Sequence, residues 1–161
     1  MQEIIAENGC PRMQGLSMIE ILVTVVVLSI GLLGLAGLQL TGLKYNHSAY
    51  MRSQATLLAS DIIDRMRANR DVAKTGGYDI NIGTNAPTAT CMGANMNCTP
   101  AEMAAADLSE WKQDLQNLLP GGDGSITRVV NGNEVHFTIT IQWDDTRGEQ
   151  PPLQLPVETV L

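Results

Sequence analysis

Basic residues, aromatic residues and cysteine are all scarce in this sequence. Ten Lys and Arg stand against seventeen Asp and Glu, a formal net charge of −7 and a pI near 4.6. Such a balance leaves no broad basic surface for phosphates, and nucleic acid is not an expected partner. One Phe, two Trp and three Tyr mean that any folded core is small and mostly aliphatic. The 161 residues exclude a large multidomain enzyme, because a typical domain takes about 100–150 residues. What fits is one compact domain plus an anchoring element. Catalytic constellations are missing too. His47 and His136 are solitary, the serines lack a nucleophile-elbow context, and no glycine-rich phosphate loop follows a strand. No enzymatic activity and no cofactor is expected.

The three cysteines are Cys10, Cys91 and Cys98. If the segment holding Cys10 is removed, an even pair remains, the count expected in an oxidising compartment. Cys91 and Cys98 bracket six residues, CMGANMNC. Paired zinc ligands prefer spacings of two to four, and no His or further Cys lies nearby, so a metal is not expected here. A disulfide closing the loop is expected instead, and in the chain-entropy model it contributes about 2–3 kcal/mol.

Against these absences stands one long apolar run. Residues 21–38, ILVTVVVLSIGLLGLAGL, carry no charge, and residues 39–43 extend the stretch. As a helix rising 1.5 Å per residue this crosses a hydrocarbon core of about 30 Å. It is longer than the apolar region of a secretory signal peptide, and no Ala-x-Ala-like site follows it. A retained anchor is therefore expected. Gly31, Gly34 and Gly37 punctuate the span. Small residues let membrane helices approach closely and lower helix propensity by about 1 kcal/mol each relative to Ala.

Glu20 sits at the edge of this run. Burying an acid in a bilayer costs about 2.5–3.5 kcal/mol on insertion scales, so such a residue needs a partner. A cut between Gly15 and Leu16 would supply one. The new α-amino group of Leu16 would carry a positive charge at the end of the same apolar helix, where it could neutralise Glu20 of a neighbouring copy and set the register of a helical assembly.

The sequence Gly15-Leu16-Ser17-Met18-Ile19-Glu20 followed by the long apolar run resembles the class III signal of type IV prepilins and pseudopilins. That resemblance implies cleavage after Gly15, N-methylation of Leu16 and an assembly role for Glu20. It also implies an α+β pilin fold, in which a long N-terminal helix packs on a small antiparallel sheet. The implied partners are a prepilin peptidase and methyltransferase, other major and minor pilins, and an inner-membrane assembly platform. Two departures stand out. The family often begins its mature chain with Phe, where this one has Leu16, and its leaders are usually basic, where this one sets Arg12 against Glu3 and Glu7.

Beyond the apolar run no Pro or Gly occurs between Leu43 and Gly76, so the helix should continue to about Arg70. Met51, Ala55, Leu58, Ala59, Ile62 and Met66 fall on one face, with Arg52, Asp61, Asp64, Arg65 and Arg67 on others. The pairs Asp61/Arg65 and Asp64/Arg67 stand at helical neighbour positions, where ion pairs contribute a few tenths of a kcal/mol. A solvated face and a subunit contact are both open readings of them. The segments 52–70 and 98–122 resemble a narrower group, the type IV pilus modification proteins called PilV.

Lys74-Thr75-Gly76-Gly77 is the first strong helix stop. Loop follows, with a short strand expected at 78–82. Thr99-Pro100-Ala101-Glu102 reads as a helix start with a capping box and Pro at the first position. Met103, Ala106, Leu108, Trp111, Leu115 and Leu118 trace its apolar face, and Pro120-Gly121-Gly122 ends it. The β-branched runs 126–130 and 135–143 flank Asn131-Gly132-Asn133, a hairpin signal in which Asn-Gly suits a type I′ turn. Asp144-Asp145 lacks the further ligands a calcium site needs and reads as a solvated bend. Residues 153–161 form a last strand, which Pro156 places at an edge.

The expected organisation is a leader at 1–15, a membrane-spanning helix half at 16–43, an amphipathic half at 44–73 and a periplasmic domain at 74–161. On the resemblance, the chain is expected first in the inner membrane and then in a pilus fibre, in which it helps initiate or modify assembly and supports motility or adhesion. A pseudopilin of type II secretion and a single-span tethered binding or signalling module are the competing readings.

Overall fold

The computed structural model describes Gly15 and residues 17–88, Cys91, 97–146 and 148–161. Leu16, Cys10 and the leader residues Glu3, Glu7 and Arg12 lie outside the described residues. The chain divides into two compact units, residues 1–44 and 45–161. Helix α1, Met18–Ala68, supplies the described structure of the first unit almost entirely. From Met18 to Leu43 every residue of α1 is exposed.

In the second unit, α1 is followed by α2 at Arg70–Lys74, α3 at Pro100–Leu118, and strands β1 at Asp123–Asn131, β2 at Glu134–Trp143 and β3 at Leu153–Val160. The strands form an antiparallel sheet in the order β1-β2-β3. This is the α+β pilin-type architecture, a long helix packed on a small three-stranded sheet. The residues Met51, Ala55, Leu58, Ala59, Ile62 and Met66 are all buried, joined by Ile63, because spacings of three and four return side chains to one helix face. They share a core with Leu108, Trp111 and Leu115 of α3 and with Ile126, Phe137, Ile139 and Ile141 of the sheet. Strand β2 alternates strictly between buried and partly exposed positions, Val135 to Trp143 on the core side, as a period of two requires.

Several local expectations are corrected. Helix α1 ends at Ala68, before Arg70, because Asn69 leaves helical geometry (φ −116°, ψ 48°) and spends its side-chain amide on the carbonyl of Pro100 at 2.7 Å and the hydroxyl of Tyr78 at 3.3 Å. The strand expected at 78–82 is reduced to a single bridge between Ile80 and Ile126, since only Tyr78 and Ile80 of that stretch are buried. The β1-β2 hairpin pairs Asn131 with Glu134, so its two central residues are Gly132 and Asn133 rather than Asn131 and Gly132. Gly132 takes the positive φ of 63°. On α3, Met103 and Leu118 are exposed, while Ala104 and Lys112 are buried.

Candidate functional site

Two features of the chain carry functional meaning, the apolar half of α1 and the polar cross-links of the domain. At the start of α1 the carbonyl of Ser17 accepts from the N–H groups of Glu20 at 3.0 Å and Ile21 at 3.3 Å. Glu20 is thus in the first helical turn, where the helix dipole favours an acid. Gly15 is exposed, and a Cβ on it would meet nothing among the described residues.

The span that follows hides its polar groups. Thr24 donates its hydroxyl to the carbonyl of Ile21 at 2.8 Å, Ser29 to Val25 at 2.7 Å and Thr41 to Gly37 at 3.0 Å. Such back-bonding satisfies each donor inside the helix, which suits surroundings without water. The helix stays regular through Gly31, Gly34, Gly37 and Gly42, and a Cβ at any of them would meet nothing. By length and composition this is a helix able to cross a membrane, with a window of mean hydropathy 2.7 and none of it buried.

In the domain, the disulfide joins Cys91 to Cys98 with the Cα atoms 5.9 Å apart. Directly after it, the Thr99 hydroxyl accepts from the Glu102 N–H at 3.3 Å while the Glu102 carboxylate accepts from the Thr99 N–H at 2.8 Å. The Thr99 hydroxyl also donates to the Glu102 carboxylate at 2.8 Å, and the two Thr99 donors, backbone N–H first and hydroxyl second, hold the Glu102 carboxyl below its usual range. The capping box expected from the sequence is therefore present.

Arg65 does not simply pair with Asp61 along a solvated face. It bonds Asp61 at 2.9 Å and also reaches Glu110 at 2.5 Å and Asp107 at 3.5 Å on α3. Partial burial opposes the charge on Arg65, but the Glu110 hydrogen bond and the three carboxylates outweigh it and raise its pKa. Asp107 in turn accepts from the Tyr78 hydroxyl at 2.6 Å. Burial first and this bond second push the Tyr78 phenol above its ordinary value. The Asp64/Arg67 pair, by contrast, is exposed on both sides.

A second cross-link was missed from sequence. Lys112 is buried, bonds Asp123 of β1 and donates to the carbonyl of Asn81 at 3.2 Å. Asp123 also accepts from the N–H of Gly83 at 2.6 Å and of Gly124 at 2.7 Å. Burial alone would raise the Asp123 pKa, yet the Gly83 N–H, Lys112 and the Gly124 N–H together hold it low. The signal was there to be read, because Lys112 falls four residues after Leu108 and three before Leu115, inside the apolar stripe. Among the described residues no group of three or more His, Cys, Asp or Glu is placed to hold a metal.

The fold and the helix agree with the comparisons to known families. Residues 37–109 match the family model of the type IV pilin Tt1218, and residues 10–36 match the prokaryotic N-terminal methylation motif. The two matches adjoin, and the second takes in Gly15, Leu16 and Glu20. No curated protein and no solved structure matches the chain. With a match to a type IV pilin model directly behind a match to the N-terminal methylation motif, and with a long helix packed on a small antiparallel sheet, the chain is similar to type IV pilin subunits.

Proposed function

We propose that the chain is a minor type IV pilin of the modification-protein kind. A prepilin peptidase clips it after Gly15, its new N-terminus at Leu16 is methylated, and it then joins a pilus in which it helps initiate or modify assembly. The observation that supports this most directly is the continuous exposed apolar surface of α1 from Met18 to Leu43 with a single carboxylate, Glu20, in its first turn. An isolated membrane anchor gains only the modest attraction of the helix dipole for an acid there, whereas a helix packed among copies of itself also uses it to pair with a neighbour's amino group. The domain faces the periplasm in this reading, where a Cys91–Cys98 disulfide is stable. Motility, adhesion or surface sensing would follow from its presence in the fibre.

Mass spectrometry of the mature N-terminus tests processing. A chain beginning at methylated Leu16 is the expected product, and a chain retaining residues 1–15 would leave a tethered module as the better description. Deletion of the chromosomal copy separates a minor from a major role. Fewer or shorter fibres, with the main subunit still made, is the expected phenotype.

A further inference from the structure

The strand expected at 78–82 stops after one bridge, and this leaves the sheet with an unfinished edge. Ile80 and Ile126 exchange both backbone hydrogen bonds, at 3.1 and 2.8 Å, so Ile126 turns its N–H and C=O away from β2. Backbone groups alternate along a strand, and Arg128 and Val130 therefore face outward too. Among the described residues no hydrogen bond reaches those outward groups, because the chain before Ile80 turns aside, with the Asp79 N–H on Gly76 and the Gly77 N–H on Val72. On the opposite edge the N–H of Leu161 reaches the carbonyl of Val135, which leaves Gln154, Pro156, Glu158 and Val160 of β3 facing outward. Pro156 has no N–H to offer. Past it, Gln154 stands in one row with Gln142 and Asp123, where the loop residue Gly83 binds Asp123. Both edges are thus obstructed at one end of the sheet and open at the other.

The two open stretches match. Val129, His136 and Val160 form one row across the sheet, on the face opposite the buried Val135 and Phe137, and the valines at its two ends are 59 % and 48 % exposed. We infer that the β3 edge of one copy pairs, in parallel, with the β1 edge of a second copy of this chain. With Val160 opposite Val129 of the second copy, the Val160 N–H donates to the Arg128 carbonyl and the Val160 carbonyl accepts from the Val130 N–H. The Glu158 carbonyl accepts from the Arg128 N–H. These bonds engage the open groups of both edges, as strand addition requires. The same register sets valine beside valine on one face and the exposed Val130 beside Leu161 on the other. A slip of one residue would exchange the faces and lose the bonds. Pairing two β1 edges instead would leave the open end of β3 unused. The contact is heterologous, so every copy added keeps one free edge of each kind and the association is open-ended. It depends on the sheet alone and holds whether or not residues 1–15 are removed.

Cross-linking of full chains tests the contact. In a Cys10→Ser background, with Cys91 and Cys98 already joined to each other, one preparation carries Val129→Cys and another Val160→Cys. Both are reconstituted together in phosphatidylcholine vesicles and treated with a short thiol-to-thiol cross-linker. The mixture should give dimers, neither preparation alone should, and a chain carrying both substitutions should give a ladder of higher multiples. Dimers from Val129→Cys chains alone, at the yield of the mixture, would place two β1 edges together and overturn the proposal. Equal yields in all samples, or none in the mixture, overturn it as well. Val130→Pro removes an N–H that the sheet of one copy does not use and should lower the mixed yield about fivefold, the worth of one hydrogen bond. An undiminished yield overturns the strand pairing. The pattern of cross-links decides independently of how well the proline is tolerated.

Discussion

The indole N–H of Trp111 donates to the backbone carbonyl of Leu58 at 3.0 Å, both groups buried. A helix carbonyl is already engaged within its own helix, so this second bond fixes where α3 crosses α1 as well as that it does. Gly124 on β1 completes the arrangement. A Cβ there would stand 2.5 Å from the Trp111 ring and 2.9 Å from Leu115, so the strand can lie against the indole only with glycine at this position.

Trp111→Phe removes the hydrogen bond and part of the ring, and is expected to cost about 1–3 kcal/mol. Gly124→Ala forces the ring or the strand to move and should cost a similar amount, about 1–3 kcal/mol. Urea unfolding of the detergent-solubilised full chain, followed by far-ultraviolet circular dichroism, reads both. The combined variant should cost less than the sum, because a smaller ring at 111 leaves room for the methyl group. Additive losses would show that the two residues do not meet.

Arg65 and Arg67 look equivalent in sequence, two residues apart and each near an acid, yet the structure separates them. Arg65→Gln leaves Asp61, Asp107 and Glu110 near one another without a cation, and should destabilise the domain by about 1–3 kcal/mol. Arg67→Gln breaks an exposed i,i+3 pair and should fall within about 0.5 kcal/mol of the parent. Equal effects from the two substitutions would return Arg65 to the solvated face.

The titrating groups give the domain two pH limits of opposite sign. Asp123 and Glu102 are held below their ordinary values, so the folded state binds fewer protons than the unfolded one in acid. Their contribution is present above about pH 4 and lost as pH falls through the folded values. Tyr78 is raised above 10.0, so its contribution is full below about pH 10 and lost as pH rises further. Stability of the full chain should therefore decline on both flanks. In Tyr78→Phe the alkaline decline should shrink while the acid decline remains, and an unchanged alkaline flank would refute the Tyr78 assignment.

Much of this fold was legible in the sequence, and the misses have a common cause. The buried stripe from Met51 to Met66, the capping box at Thr99 and Glu102, and the edge position of Pro156 each follow from a local rule. Periodicity, cap chemistry and a missing N–H act within a few residues of themselves. The one-residue shift of the β1-β2 turn was not local. Asn131-Gly132 suits the tightest turn, but the register that places Ile126 opposite Ile139 on the core face fixes the turn at Gly132-Asn133. Burial of Lys112 is likewise non-local, because its partners Asn81 and Asp123 arrive from a loop and a strand. The assembly role of Glu20 was read from sequence and is still a proposal, since the neighbour it would meet belongs to another copy.

The Cys91–Cys98 disulfide adjoins the start of α3, which raises the question of whether the bond holds the helix or only its own loop. Two other devices fix the helix start independently. The capping box satisfies both Thr99 and Glu102, and the Asn69 amide binds the Pro100 carbonyl. Replacing both cysteines, Cys91→Ser with Cys98→Ser, should therefore cost at most about 2–3 kcal/mol, the chain-entropy value for so short a loop. Hydrogen exchange localises the effect. Amides of Met103 and Ala104 should keep the protection of the parent chain, while faster exchange stays with the segment before Thr99. Asn69→Ala with the disulfide intact should do the reverse and speed exchange at the first turn of α3. If loss of the disulfide instead exposes that turn, the bond anchors the helix, and the cap and Asn69 are secondary to it.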